Sequence, residues 1–208
     1  VADSSWFLLQ FLRTKAYVLE RSMTCIRGFC KFRQRSGWKF PLRREDFQYE
    51  LGTGIYKSLG TARDGSRIVV MEMGLLDTSK KSVNISSFQA AGLCFLLNLL
   101  LTDVATQIHG LTFIVDMGGF SFTRWITSIG LSDIRRGISM LQDAFPMRIR
   151  TLGFWRNPSW ISWCFSIVFP LLSKESVLHT RLALLGKDGE LLLTLAEQEE
   201  FHGCFSIG

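Results

Sequence analysis

The sequence has little of what metal, redox or disulfide chemistry requires. Its three histidines, His109, His179 and His202, stand far apart and show none of the close spacings of zinc sites. The five cysteines (Cys25, Cys30, Cys94, Cys164 and Cys204) are odd in number and form no C-x-x-C pair. Three of them fall in apolar stretches, which points to buried free thiols in a reducing compartment. Long apolar runs are missing too. Ala90 to Leu101 contains Asn98, and Trp160 to Leu172 ends around Pro170; both fall short of the ~20 apolar residues of a membrane span. No transmembrane helix is expected. The chain opens Val-Ala-Asp, without a basic n-region, so no secretory signal is expected either. The absent initiator Met suggests a fragment.

Catalytic motifs are equally scarce. Gly-Thr-Gly-Ile-Tyr-Lys-Ser (Gly52 to Ser58) has Tyr56 where a phosphate loop needs its second glycine, and no strand-then-helix context. Ser121 lacks the glycine beyond it that a nucleophile elbow requires. Asn84-Ile85-Ser86 is a glycosylation sequon, irrelevant in a cytosolic chain. Asp116 has the type of a catalytic base, but before Gly118-Gly119 it is better placed to make turn contacts. These readings favour binding over catalysis, with no cofactor.

What is present is apolar and basic. Hydrophobic residues make up 47% of the chain, with 17 Phe and 6 Trp, which excludes a disordered chain and leaves material to line a cavity. The formal charge is +6, suiting an anionic partner, either nucleic acid or an acidic membrane. The basic residues read as dispersed and the aromatics lie in apolar runs, so no nucleic-acid partner is expected.

The order of elements predicts an α/β fold. A first helix runs through Phe7 to Leu12. A second carries Leu19, Met23, Ile26 and Cys30 at helical spacing and closes in Lys31, Arg33 and Arg35, where cations suit the dipole. Ile55–Leu59 and Ile68–Met73 read as a hairpin about the turn Arg63 to Ser66. Then follow a helix at Ser87–Thr102, a strand at Leu111–Met117 and a helix at Ser132–Phe145. The last stretch reads as a strand at Met147–Phe154, an apolar helix from about Ser159 to Leu172 and a strand at Leu182–Leu185. Strands separated by such helices imply right-handed crossovers and a mainly parallel sheet, after a small helical N-terminal part.

Several strings, in this order, resemble the CRAL-TRIO lipid-binding family: FLLQFLRTK, FIVDMGGFSF, LQDAFPMRIRTLGFWRNPSW and FPLLSKE. The resemblance covers Asp3 to about Gly186. It implies a helical part at residues 1–48 and a lipid-binding domain at 49–208, with an apolar gate helix from Asn157 to about Arg181. It further implies a pocket wall of Leu111, Phe113, Val115, Phe122, Met140, Leu141, Phe145, Ile149, Leu152, Phe165, Val168 and Phe169, around a tocopherol-, retinoid- or similar lipid. Lys15, Arg148, Arg150 and Arg181 are the implied phosphoinositide contacts; two residues apart on a strand, Arg148 and Arg150 would point the same way. A basic residue that the family pattern places near Val177 is missing, and the loop there carries Lys174 instead. The implied function is transfer of the lipid by a cytoplasmic, monomeric, transiently membrane-associated carrier that does no chemistry. The alternative is a lipid-sensing or membrane-targeting module of a larger protein.

Overall fold

A computed structural model describes residues 4–76, 84–141, 145–168 and 182–184. Two helices open the chain, α1 (Ser4–Thr14) and α2 (Leu19–Arg35). In α1 the residues Gln10, Phe11 and Thr14 are buried, with Phe7 half-buried beside them. Phe7, Phe11 and Phe29 form an aromatic cluster, with ring centroids 5.2 to 5.8 Å apart. In α2 the buried residues are Ser22, Cys25, Phe29 and Phe32. The helix is there as the spacing of Leu19, Met23, Ile26 and Cys30 predicts, but those are not its buried residues. Leu19 is 67% exposed and Met23 40%, Cys30 is exposed, and Ile26 is half-buried. The inward side is the one on which Phe29 meets Phe7 and Phe11 of α1 and Phe32 meets Trp38.

After a 3-10 turn (Arg44–Phe47) and the short α3 (Gln48–Gly52) comes the hairpin of β1 (Tyr56–Thr61) and β2 (Arg67–Glu72), paired antiparallel. The Asp64 carboxylate accepts the Ser66 N–H at 3.0 Å and closes the turn. β2 then pairs in parallel with β3 (Leu111–Asp116), β3 with β4 (Ile149–Trp155), and β4 with β5 (Leu182–Leu184). Strand order in the sheet is β1-β2-β3-β4-β5. All six residues of β3 are buried, as expected of a strand covered on both faces.

The helix between β2 and β3 is α4 (Ile85–Thr102), capped by Asn84, whose side chain accepts the Ser86 N–H at 2.9 Å. By length and composition alone α4 could cross a membrane. In the fold its Phe88, Leu93, Leu96 and Leu100 belong to the core. Residue Gly92 lets Tyr56 lie against this helix: a Cβ there would sit 2.7 Å from the Tyr56 hydroxyl, which donates to the Phe88 carbonyl at 2.8 Å.

Two short helices escape the sequence reading, α5 (Val104–His109) and α6 (Phe122–Ser128). The predicted helix at Ser132–Phe145 is α7 (Leu131–Ser139), followed by one wider turn at Met140 and Leu141. The Asp133 carboxylate accepts the Gly130 N–H at 3.0 Å at its start. The last helix among the described residues is α8 (Ile161–Val168).

Candidate functional site

The site is built on one face of the sheet. Register places Val69, Phe113 and Leu152 side by side, and Met71, Val115 and Phe154 beside one another. Side chains alternate along a strand, so Leu111, Phe113 and Val115 share a face. All three join one buried cluster with Phe145, Ile149 and Leu152, and Met140 and Leu141 pack against it from the end of α7. The structure thus brings together eight of the implied wall residues. Ile161 joins the same cluster and Trp160 packs against it, which carries the apolar core to the start of the implied gate.

Phe122 lies at the edge. It is 37% exposed, with its ring 5.7 Å from that of Trp160 and 5.5 Å from that of Trp163. Trp163 is 51% exposed, as is Ile126 at 53%, one turn on from Phe122. Phe165 and Val168 fall on α8, with side chains outside the described ones; Phe169 and Arg181 lie outside the described residues.

A polar fixture that the sequence reading missed closes this end of the sheet. Asp116, 1% exposed, accepts the Gly118 N–H at 2.9 Å, the turn contact expected of it. It also receives both arms of Arg156: Nε donates to Oδ1 at 2.7 Å and Nη2 to Oδ2. The hydrogen bond to Asp116, working against partial burial, raises the Arg156 pKa above its ordinary value. The guanidinium lies 4.8 Å from the Trp155 ring centroid and over Gly118, where any Cβ would collide with it. Arg156 holds φ at 52°, a region uncommon for a long side chain. The two-armed ion pair therefore ties the segment entering α8 to the end of β3.

Of the implied phosphoinositide residues, Lys15, Arg148 and Arg150 lie toward the opposite end of β3. Arg148 Nη2 donates to the Thr14 carbonyl at 3.4 Å, next to the half-buried Lys15. Arg150 Nε instead donates to the His109 carbonyl at 2.7 Å. The pairing slips between Leu111 and Thr112, opposite Arg150, and such an extra residue breaks strict alternation. Lys15 and Arg148 come together, and Arg150 is turned toward α5.

A separate groove of about 790 Å³ runs between α1, α2 and α4, with Trp6, Phe29, Phe40, Leu42, Leu97 and Leu101 among its lining. It shares no residue with the implied wall. Among the described residues no group of His, Cys, Asp and Glu is placed to hold a metal.

Comparison with known proteins agrees with this fold. Residues 51–199 match the family model described as CRAL/TRIO domain. The chain is 25% identical over 179 residues to human tyrosine-protein phosphatase non-receptor type 9, covering 85% of this chain and 29% of that protein. It is 26% identical to Clavesin-1 of Xenopus laevis (82% and 51% covered) and 24% identical to human Clavesin-2 (95% and 61% covered). The chain thus spans less than two thirds of the length of these relatives. The crystal structure of Sfh5 superimposes with a TM-score of 0.60 at 13% identity, over 90% of this chain and 66% of that one, and shows the same fold. With 149 of its 208 residues inside the family model, the chain belongs to the CRAL/TRIO family of lipid-binding proteins.

Proposed function

We propose that the chain holds one hydrophobic lipid, of tocopherol, retinoid or similar type, against the β3–β4 face and exchanges it at anionic, phosphoinositide-bearing membranes. The observation that carries this reading is the buried apolar cluster that runs from Leu111, Phe113 and Val115 to Ile161, with Trp160 packed against it. It continues into the exposed aromatics Phe122 and Trp163. A helix that starts among core residues and shows Trp163 outward, against Phe122 of α6, suits movement into a membrane interface. Burying ~400 Å² of ligand gives ~10 kcal/mol gross. Association costs of about half that leave micromolar to nanomolar affinity, and no chemical step is needed. In this reading residues 1–48 form the helical part and 49–208 the lipid domain. The carrier works as a cytoplasmic monomer that touches membranes transiently, and Lys15, Arg148, Arg150 and Arg181 meet the head group.

The test is native mass spectrometry of the purified protein, with solvent extraction and identification of what co-purifies. A stoichiometric lipid is expected; a clean apo mass with no uptake from a mixed lipid pool would overturn the carrier reading. Replacing Arg148 and Arg150 by Ala is expected to slow transfer to phosphoinositide vesicles and leave ligand affinity intact. A second reading, a lipid-sensing module of a larger protein, is favoured by one observation: the chain matches only 29% of the phosphatase's length.

A further inference from the structure

Helix α2 carries two apolar rows, and the fold uses one of them. Cys25, Phe29 and Phe32 face inward. Leu19, Met23 and Cys30 face solvent. At 100° per residue, Arg27, Lys31 and Arg35 form the neighbouring row, and all three are exposed.

The charge is as unevenly placed as the apolar surface. Residues 19–44 hold eight Lys and Arg against one acidic residue, Glu20, a net +7, whereas the whole chain is +6. Everything outside this stretch therefore sums to −1. The basic residues that read as dispersed are concentrated on one helix and the loop after it. Among the described residues none of the eight forms an ion pair. Arg33 lies over the Phe40 ring, at 5.0 Å from its centroid, and all eight, Arg21, Lys39, Arg43 and Arg44 included, are exposed. Just before the helix Tyr17 is 65% exposed and Val18 42%, two further apolar side chains in water.

We propose that the outward face of α2 is a docking surface for an anionic phospholipid bilayer, with Arg27, Lys31 and Arg35 at the head groups and Leu19 and Met23 sunk beside them. A row of cations next to a row of exposed apolar side chains is what an interfacial helix presents. Nucleic acid would satisfy the cations and leave Leu19 and Met23 in water. This surface does not depend on the lipid pocket and lies apart from the β3–β4 face, so its failure and that of the carrier reading are separable.

The experiment is co-sedimentation of the full chain with phosphatidylcholine vesicles, with and without phosphatidylserine, alongside binding to duplex RNA at the same ionic strength. Each cation at an anionic surface is worth roughly fivefold in partitioning. Arg27→Gln with Lys31→Gln and Arg35→Gln is thus expected to weaken binding to phosphatidylserine vesicles about a hundredfold. Leu19→Ser with Met23→Ser is expected to weaken it about tenfold. The altered side chains are exposed, so the thermal midpoint should not move, and co-purified lipid should remain. Full binding by either variant overturns the proposal, as does wild-type protein that prefers RNA to the vesicles.

Discussion

Helices α2 and α4 are nearly equal in length, 17 and 18 residues, and the fold treats them in opposite ways. α4 has no charged residue and is apolar nearly all round; eight of its residues are buried. α2 carries five basic residues and Glu20, and buries one row while leaving an equally regular apolar row in water. An all-apolar helix announces burial whatever lies around it. A helix with two apolar rows does not say which one is inward, because periodicity fixes the spacing of a row and not its partner.

That contrast can be broken most directly by truncation. Leu96→Ala in α4, 2% exposed in the wild type, is expected to cost about 2–5 kcal/mol. Met23→Ala in α2 should stay within about 0.5 kcal/mol. Urea unfolding of both variants decides it, and comparable losses would mean that the outer row of α2 is covered.

A smaller effect is expected at the seam between the N-terminal helices and the sheet domain. The Gln10 amide is 1% exposed, and neither its oxygen nor its nitrogen finds a partner among the described residues. Burying such a group without hydrogen bonds is unfavourable, so Gln10→Met should raise stability by about 1 kcal/mol. A loss instead would show that the amide is satisfied by water.

The smallest effect is one of pH, at the cap that joins α4 to α5. Asp103 is partly buried, which by itself would raise its pKa. Hydrogen bonds from the Thr106 hydroxyl, Arg67 and the Thr106 N–H outweigh this and hold it below the usual carboxylate value. A lowered folded-state pKa stabilises the fold fully above the unfolded value of about 4. That contribution is lost as pH falls through the folded value. Thermal midpoints of wild type and Asp103→Asn should therefore differ at pH 5 and converge toward pH 3.

Much of this architecture was legible in the sequence, and the misses share a cause. The strand expected at Leu111–Met117 is present over Leu111–Asp116, and the three residues that the resemblance drew from it for the wall, Leu111, Phe113 and Val115, fall in one cluster. The helices α5 and α6 were hidden because six or seven residues are too few for a periodic signal. Their caps were nevertheless present: Asp103 accepts the N–H groups of Ala105 and Thr106, and the Ser121 hydroxyl accepts that of Arg124. Asp116 was legible as a turn residue, but its partner was not. Arg156 lies 40 residues away along the chain, and nothing in WRNP marks that Arg for a buried carboxylate. The slipped register opposite Arg150 had no sequence signal, which is why strand alternation misjudged where that side chain goes.

The order β1-β2-β3-β4-β5 means that each strand lies next to the one made just before it. A chain emerging from the ribosome can therefore extend its sheet one edge at a time, starting from a hairpin that needs only a local turn. Among the described strands none has to be inserted between two already paired ones. The apolar edge waiting for the next strand is exposed only for as long as one intervening stretch takes to be synthesised, which shortens the interval in which a wrong partner could add there.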